Sequence, residues 1–130
     1  MKKLTILMVV ILVAGLLAGC WLFPESKLIS IVVEPEGVYL DEPATAITGH
    51  TEAIESVTAN YSDETSEDIK LTDCEYLSND PEVAIVEIVE DEVWIRAVGT
   101  GDTTILVTYT QHNFWTGRVI ETDIVGVFVN

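Results

Sequence analysis

Two cysteines, two histidines and 22 carboxylates are the first places to look for chemistry in this chain of 130 residues. Cys20 stands at the edge of a long apolar run, after the small pair Ala18-Gly19 and before Trp21. A thiol there is a nucleophile on a backbone that small neighbours leave accessible. Cys74 falls in a β-patterned stretch, and a small buried hydrophobe is expected there. In an oxidising compartment, an unmodified Cys20 would be able to pair with it. His50 lies in Gly49-His50-Thr51 and His112 in Gln111-His112-Asn113. Neither has a nucleophile elbow, a paired metal-ligand spacing or a phosphate loop around it. Both read as exposed loop residues. No enzyme activity and no cofactor are expected.

The carboxylates crowd most closely in Ser62–Asp68, which reads as a polar acidic loop holding Asp63, Glu64, Glu67 and Asp68. Calcium needs several hard oxygens converging from a loop. These four are weak calcium candidates, because they lack EF-hand spacing and an acidic run usually makes a solvated face. Asn60-Tyr61-Ser62 has the form of a glycosylation site but sits at a strand end. The formal charge of −16 argues against nucleic acid as a partner. It also repels anionic headgroups, so membrane attachment must be hydrophobic or covalent. With 48% hydrophobic residues, the chain has the means to build a core in spite of its acidity.

The elements that would position these groups begin at the N-terminus. Lys2 and Lys3 form a positive head, and no residue from Leu4 to Phe23 is charged. A basic start, an apolar middle and small residues at the end read as a signal segment. The head would stay inside and the body would be exported. Leu17-Ala18-Gly19-Cys20 resembles the lipobox of bacterial lipoproteins. That resemblance implies a diacylglyceryl group on the Cys20 sulfur and cleavage just before it. Residues 1–19 are then the signal peptide, and 20–27 are the lipidated cysteine with a short tether. At extended reach such a tether spans at most about 28 Å. Trp21, Leu22 and Phe23 either add to the anchor at the membrane interface or pack on the domain. The competing reading is an uncleaved transmembrane helix, for which the apolar run is long enough. Both readings leave the domain tethered outside the membrane.

From Leu28 onward the pattern is β. Ile29, Ile31 and Val33 alternate with Ser30, Val32 and Glu34, and Val38-Tyr39-Leu40 resumes after the turn at Pro35-Glu36-Gly37. Val57, Ala59 and Tyr61 alternate, as do Ala84, Val86 and Ile88, then Val93, Ile95 and Ala97, then Ile105, Val107 and Tyr109. Ile69 to Leu77 is another β-rich run, and Ile124 to Val129 ends the chain. Thr48 to Ile54 has some helical character but is too short to change the class. About seven short strands over 28–130 predict an all-β, Ig-like sandwich.

Ser78-Asn79-Asp80-Pro81-Glu82-Val83-Ala84-Ile85-Val86 resembles the "SSNPSVATV" stretch of group 2 bacterial Ig-like domains, and Gly101-Asp102-Thr103-Thr104-Ile105 is similar to that family's "GTATI". Ile29-Ser30-Ile31 and Pro35 fit its first strand. The chain departs from it at Tyr76, where the family often has Trp, and at Glu90-Asp91-Glu92, where it often has Gly. The resemblance implies an extracytoplasmic, non-catalytic module used in adhesion or as a spacer.

Between the last two strands stands Gln111-His112-Asn113-Phe114-Trp115-Thr116-Gly117. Its His112, Asn113, Phe114 and Trp115 are the candidate binding loop, since rigid aromatics beside adaptable polar groups can hold a protein or a glycan. The alternative is that one aromatic folds back over the open end of the core. The expectation is a cell-membrane or outer-envelope lipoprotein, anchored through Cys20, whose domain mediates adhesion or protein or glycan binding. The alternative is a non-binding structural module of an envelope assembly.

Overall fold

β-Branched and aromatic residues at every second position favour pleated backbone and put one apolar row on each strand. The computed structural model describes residues 26–43, 50–113 and 117–130, and among them every long element is a strand. In chain order these are β1 (Leu28–Glu34), β2 (Gly37–Leu40), β3 (Thr51–Ala53), β4 (Ser56–Tyr61), β5 (Ser66–Ile69), β6 (Cys74–Ser78), β7 (Ala84–Val89), β8 (Glu92–Ala97), β9 (Gly101–Asn113) and β10 (Gly117–Val129). A single 3-10 turn, Leu71–Asp73, precedes β6.

The strands form three sheets, ordered β1-β4-β5, β3-β8-β7 and β2-β10-β9-β6. The first two are joined where β3 runs on into β4: the Ile54 N–H donates to Val93 O and the Glu55 N–H to Glu34 O. Against this bent layer lies the four-stranded sheet, in which β2 runs parallel to β10 and the other pairs are antiparallel. Val33, Val57, Val93 and Ile95 from one layer share a single buried cluster with Val38, Ile105, Val107, Val125 and Val127 from the other. The fold is all-β and sandwich-like, as the alternation predicts.

Several details differ from the sequence reading. Ten strands are present among the described residues, not about seven. The strand that resumes after the expected turn at Pro35 joins the other layer: β1 pairs with β4 and β2 with β10. The Thr51–Ala53 part of the stretch read as helical is β3, paired to β8. The acidic loop is shorter than expected, because Ser66–Ile69 pairs with β4 as β5. The 69–77 run is interrupted by the 3-10 turn. In β1, a register irregularity between Leu28 and Ser30 turns Ile29 outward and buries Leu28, as an extra residue in a strand must. Ile88 is exposed, because the end of β7 runs past the core toward its turn.

Candidate functional site

The expected loop between the last two strands is mostly hairpin. β9 and β10 are paired from Gly101↔Val129 to Asn113↔Gly117. Gln111, His112 and Asn113 therefore lie in β9, with His112 opposite Arg118 and exposed. Phe114 and Trp115 lie outside the described residues, as does Cys20.

The closed end of this hairpin has a fixed place on the domain. Gln111 Nε2 donates to the Tyr61 hydroxyl at 3.2 Å, and Tyr61 pairs with Leu28 at the start of β1. The Lys27 N–H donates to Ser62 Oγ at 2.9 Å, and the Ser62 N–H donates back to Lys27 O at 2.8 Å. Lys27, just before β1, thus lies beside the hairpin's closed end. The opposite end carries Leu40, Gly101 and Val129.

The carboxylates proposed for calcium do not converge. Asp63 Oδ1 takes the N–H and hydroxyl of Thr65, at 3.1 and 2.5 Å, and these bonds hold its carboxyl below the ordinary range. Glu67 Oε2 accepts from the Tyr61 hydroxyl at 3.2 Å. Asp68, its neighbour in β5, points to the other side of the strand by the two-residue period. Glu64 sits in the turn with a φ of 67°. No group of three or more His, Cys, Asp or Glu among the described residues could hold a metal ion.

Cys74 is buried at the head of β6, and burial pushes its thiol up to about 11. A group so far from thiolate at neutral pH is a packing residue, not a nucleophile. Tyr76 stands on the same side of β6, is likewise raised by burial, and donates its hydroxyl to Leu71 O at 2.7 Å. It packs against the core at the place where the resembled family often has Trp. His50 is half-buried, not exposed. Its carbonyl accepts the Ala97 N–H, and its Nδ1 has no partner among the described residues. Asn60 Nδ2 donates to Ser30 Oγ within the β1–β4 pair.

Sequence reasoning missed the outer face of the sheet β2-β10-β9-β6. Register puts Leu77, Leu106 and Ile124 in one row across it. Leu77 is 61% exposed and Ile124 54%. Nearer the end that carries Val129, Tyr39 is opposite Phe128 and the rings stack at 5.0 Å between centroids. Tyr39 is 72% exposed. The signal was present in the alternation: once Val125 and Val127 are taken as inward, Ile124 and Phe128 must face out.

No protein-family model matches the chain, and a comparison with curated proteins finds no match.

Proposed function

We propose that this chain is a membrane-anchored lipoprotein of the cell surface or outer envelope, held through Cys20, whose Ig-like domain mediates adhesion by binding protein or glycan. The observation that carries the binding role is the outer face of the four-stranded sheet. Large apolar side chains at Tyr39, Leu77, Ile120 and Ile124 stay exposed on it, although the same strands bury Val38, Ile105, Val107, Val125 and Val127 on the other side. Other large apolar groups are exposed elsewhere, at Ile29, Val32, Ile88, Val89 and Val98, but only here do exposed Leu77 and Ile124 flank Leu106 in one row, the kind of contiguous patch that marks an interaction surface. A module serving only as a spacer has no need of them.

The membrane attachment rests on the sequence of residues 1–20. Among the described residues no helix is long and apolar enough to cross a membrane, and the apolar run of the N-terminus lies outside them. Lys27 lies beside the hairpin's closed end, so attachment through Cys20 would put that end nearer the membrane. The end with Tyr39 and Phe128 would then be the farther one, roughly 33 Å along β10 from Arg118 at about 3.3 Å per residue.

The test is a pull-down of the full chain from native membranes after mild crosslinking, with wild type beside Leu77→Thr/Ile124→Thr and Trp115→Ala. Loss of the captured component in the double variant, at an unchanged thermal midpoint, supports a binding face. Selective loss in Trp115→Ala, by more than about 1 kcal/mol of affinity, would return the binding role to the hairpin loop. Capture of nothing by any of the three would favour the structural module.

A further inference from the structure

The exposed face also holds a shallow, open recess with carboxylates on its rim. It has a volume of about 420 Å³ and is lined by Asn79, Asp80, Asp102, Thr104, Gly126 and Phe128, with the neighbouring Thr103. Its shape follows from the register. Gly37 and Gly126 are paired, so two adjacent positions carry no side chain above the sheet. The Phe128 ring leans over this gap: a Cβ on Gly126 would stand 3.3 Å from its Cε2. Tyr39 covers one face of Phe128 and lies outside the recess. The recess lies on the β9 side, where Asp102 is paired opposite Phe128 and Thr104 opposite Gly126. Asn79 closes the far wall, bonded to the Thr104 hydroxyl through Nδ2 and to Thr104 O through its backbone N–H.

We propose that this recess binds a neutral sugar residue of a surface glycan, with one face of the pyranose ring against Phe128. An aromatic face is electron-rich and attracts the slightly positive C–H groups of a sugar ring, and it offers area at little entropic cost. Tyr39 backs that wall by stacking on it. The recess holds two acceptor-only carboxylates, Asp80 and Asp102, beside the Asn79 amide and the Thr103 and Thr104 hydroxyls, which both donate and accept. The Asp102 carboxylate makes no hydrogen bond or ion pair with the described residues, and Asp80 uses Oδ1 on the Glu82 N–H, leaving Oδ2 free. Acceptors beside an apolar wall suit a ligand rich in hydroxyl donors, and a few such groups set orientation in small-ligand sites. No Lys or Arg lines the recess, and the chain carries −16 overall, so anionic sugars are excluded by charge. The proposal rests on the domain being a binding module, but not on the apolar row at Leu77 and Ile124, and not on the hairpin loop.

The experiment titrates the full chain in detergent micelles with cellohexaose, maltohexaose and chitohexaose, followed by calorimetry. Hyaluronan hexasaccharide serves as the anionic control, and a tetralysine peptide as the cationic one. At least one neutral oligosaccharide should bind with a Kd in the millimolar range or below. Phe128→Ala should weaken it more than about tenfold. Because Phe128 also packs over Gly126, Asp102→Ala on the exposed rim is the second variant, and it should weaken binding severalfold at an unchanged thermal midpoint. Leu77→Thr/Ile124→Thr should leave sugar binding intact, so this proposal and the apolar adhesion face fail independently. No binding of any neutral sugar overturns it. So does binding unaffected by both recess variants, or binding of tetralysine alone.

Discussion

Gln111 and Tyr61 are joined by a hydrogen bond of 3.2 Å that ties the outer part of the β9–β10 hairpin to the end of β4. This one contact sets the hairpin's closed end beside the point where the chain enters its first strand. Tyr61→Phe keeps the ring and removes the bond to Gln111 and the bond to Glu67. A loss of about 1 kcal/mol or less is expected, the usual net worth of such bonds. Amide exchange should quicken locally, at 110–113 and 117–120, with β9 near Ile105 unchanged. Uniform acceleration along both strands would mean that the contact does not hold that end in particular.

If Cys20 is the lipid anchor proposed above, Cys20→Ala should abolish lipid attachment and leave an unprocessed precursor, because the acylated cysteine would be the substrate of the cleavage. Intact mass of the chain purified from membranes decides it. Wild-type protein that keeps Met1 and carries no acyl group would leave the transmembrane reading in its place.

Ile105 is fully buried between the layers, while Thr104 faces the outer side of the same strand. Ile105→Ala should cost about 2–5 kcal/mol in a urea titration. Thr104→Ala loses its bond with Asn79 and should cost about 1 kcal/mol. Equal costs would mean that β9 is facing the wrong way.

Cys74 is buried with its thiol raised to about 11. In the folded chain at pH 8, Cys74 should therefore resist a thiol reagent, and it should react fully on unfolding. Since the folded value lies above the ordinary 9.0, burial of the neutral thiol contributes stability that is complete below pH 9 and declines as pH rises toward 11. Cys74→Ala should lessen the alkaline decline in a series of thermal midpoints, leaving the part that Tyr61, Tyr76 and Tyr109, likewise raised by burial, contribute.

Glu90 opens the β7–β8 turn with a φ of 56°, a left-handed conformation that costs a side-chain-bearing residue about 1 kcal/mol. It falls in the stretch where the resembled family often carries glycine. Glu90→Gly should raise stability by up to about 1 kcal/mol, set against the backbone entropy glycine adds to the unfolded chain. A lowered thermal midpoint would show that the Glu90 side chain contributes more than its backbone costs.

The sequence by itself determined the all-β class and most of the buried rows. Val57, Ala59, Val93, Ile95, Ala97, Ile105 and Val107 are inward as their two-residue period requires, because a strand with one wet face leaves no other choice. The acidity and the basic, apolar N-terminus were also legible, since they are properties of composition and order alone. Ile29 was misread because one irregular pairing step inverts the facing of every residue before it, and no local pattern records such a step. β3 and β5 were hidden because short polar strands gain their backbone partners from β8 and β4, not from their own side chains. Only the tertiary structure decided which sheet faces are covered. The recess over Gly126 required Gly37, Asp102 and Asn79, far apart in the chain, to meet on one surface through strand register. Such a site is a property of pairing between strands, which alternation along any single strand does not encode.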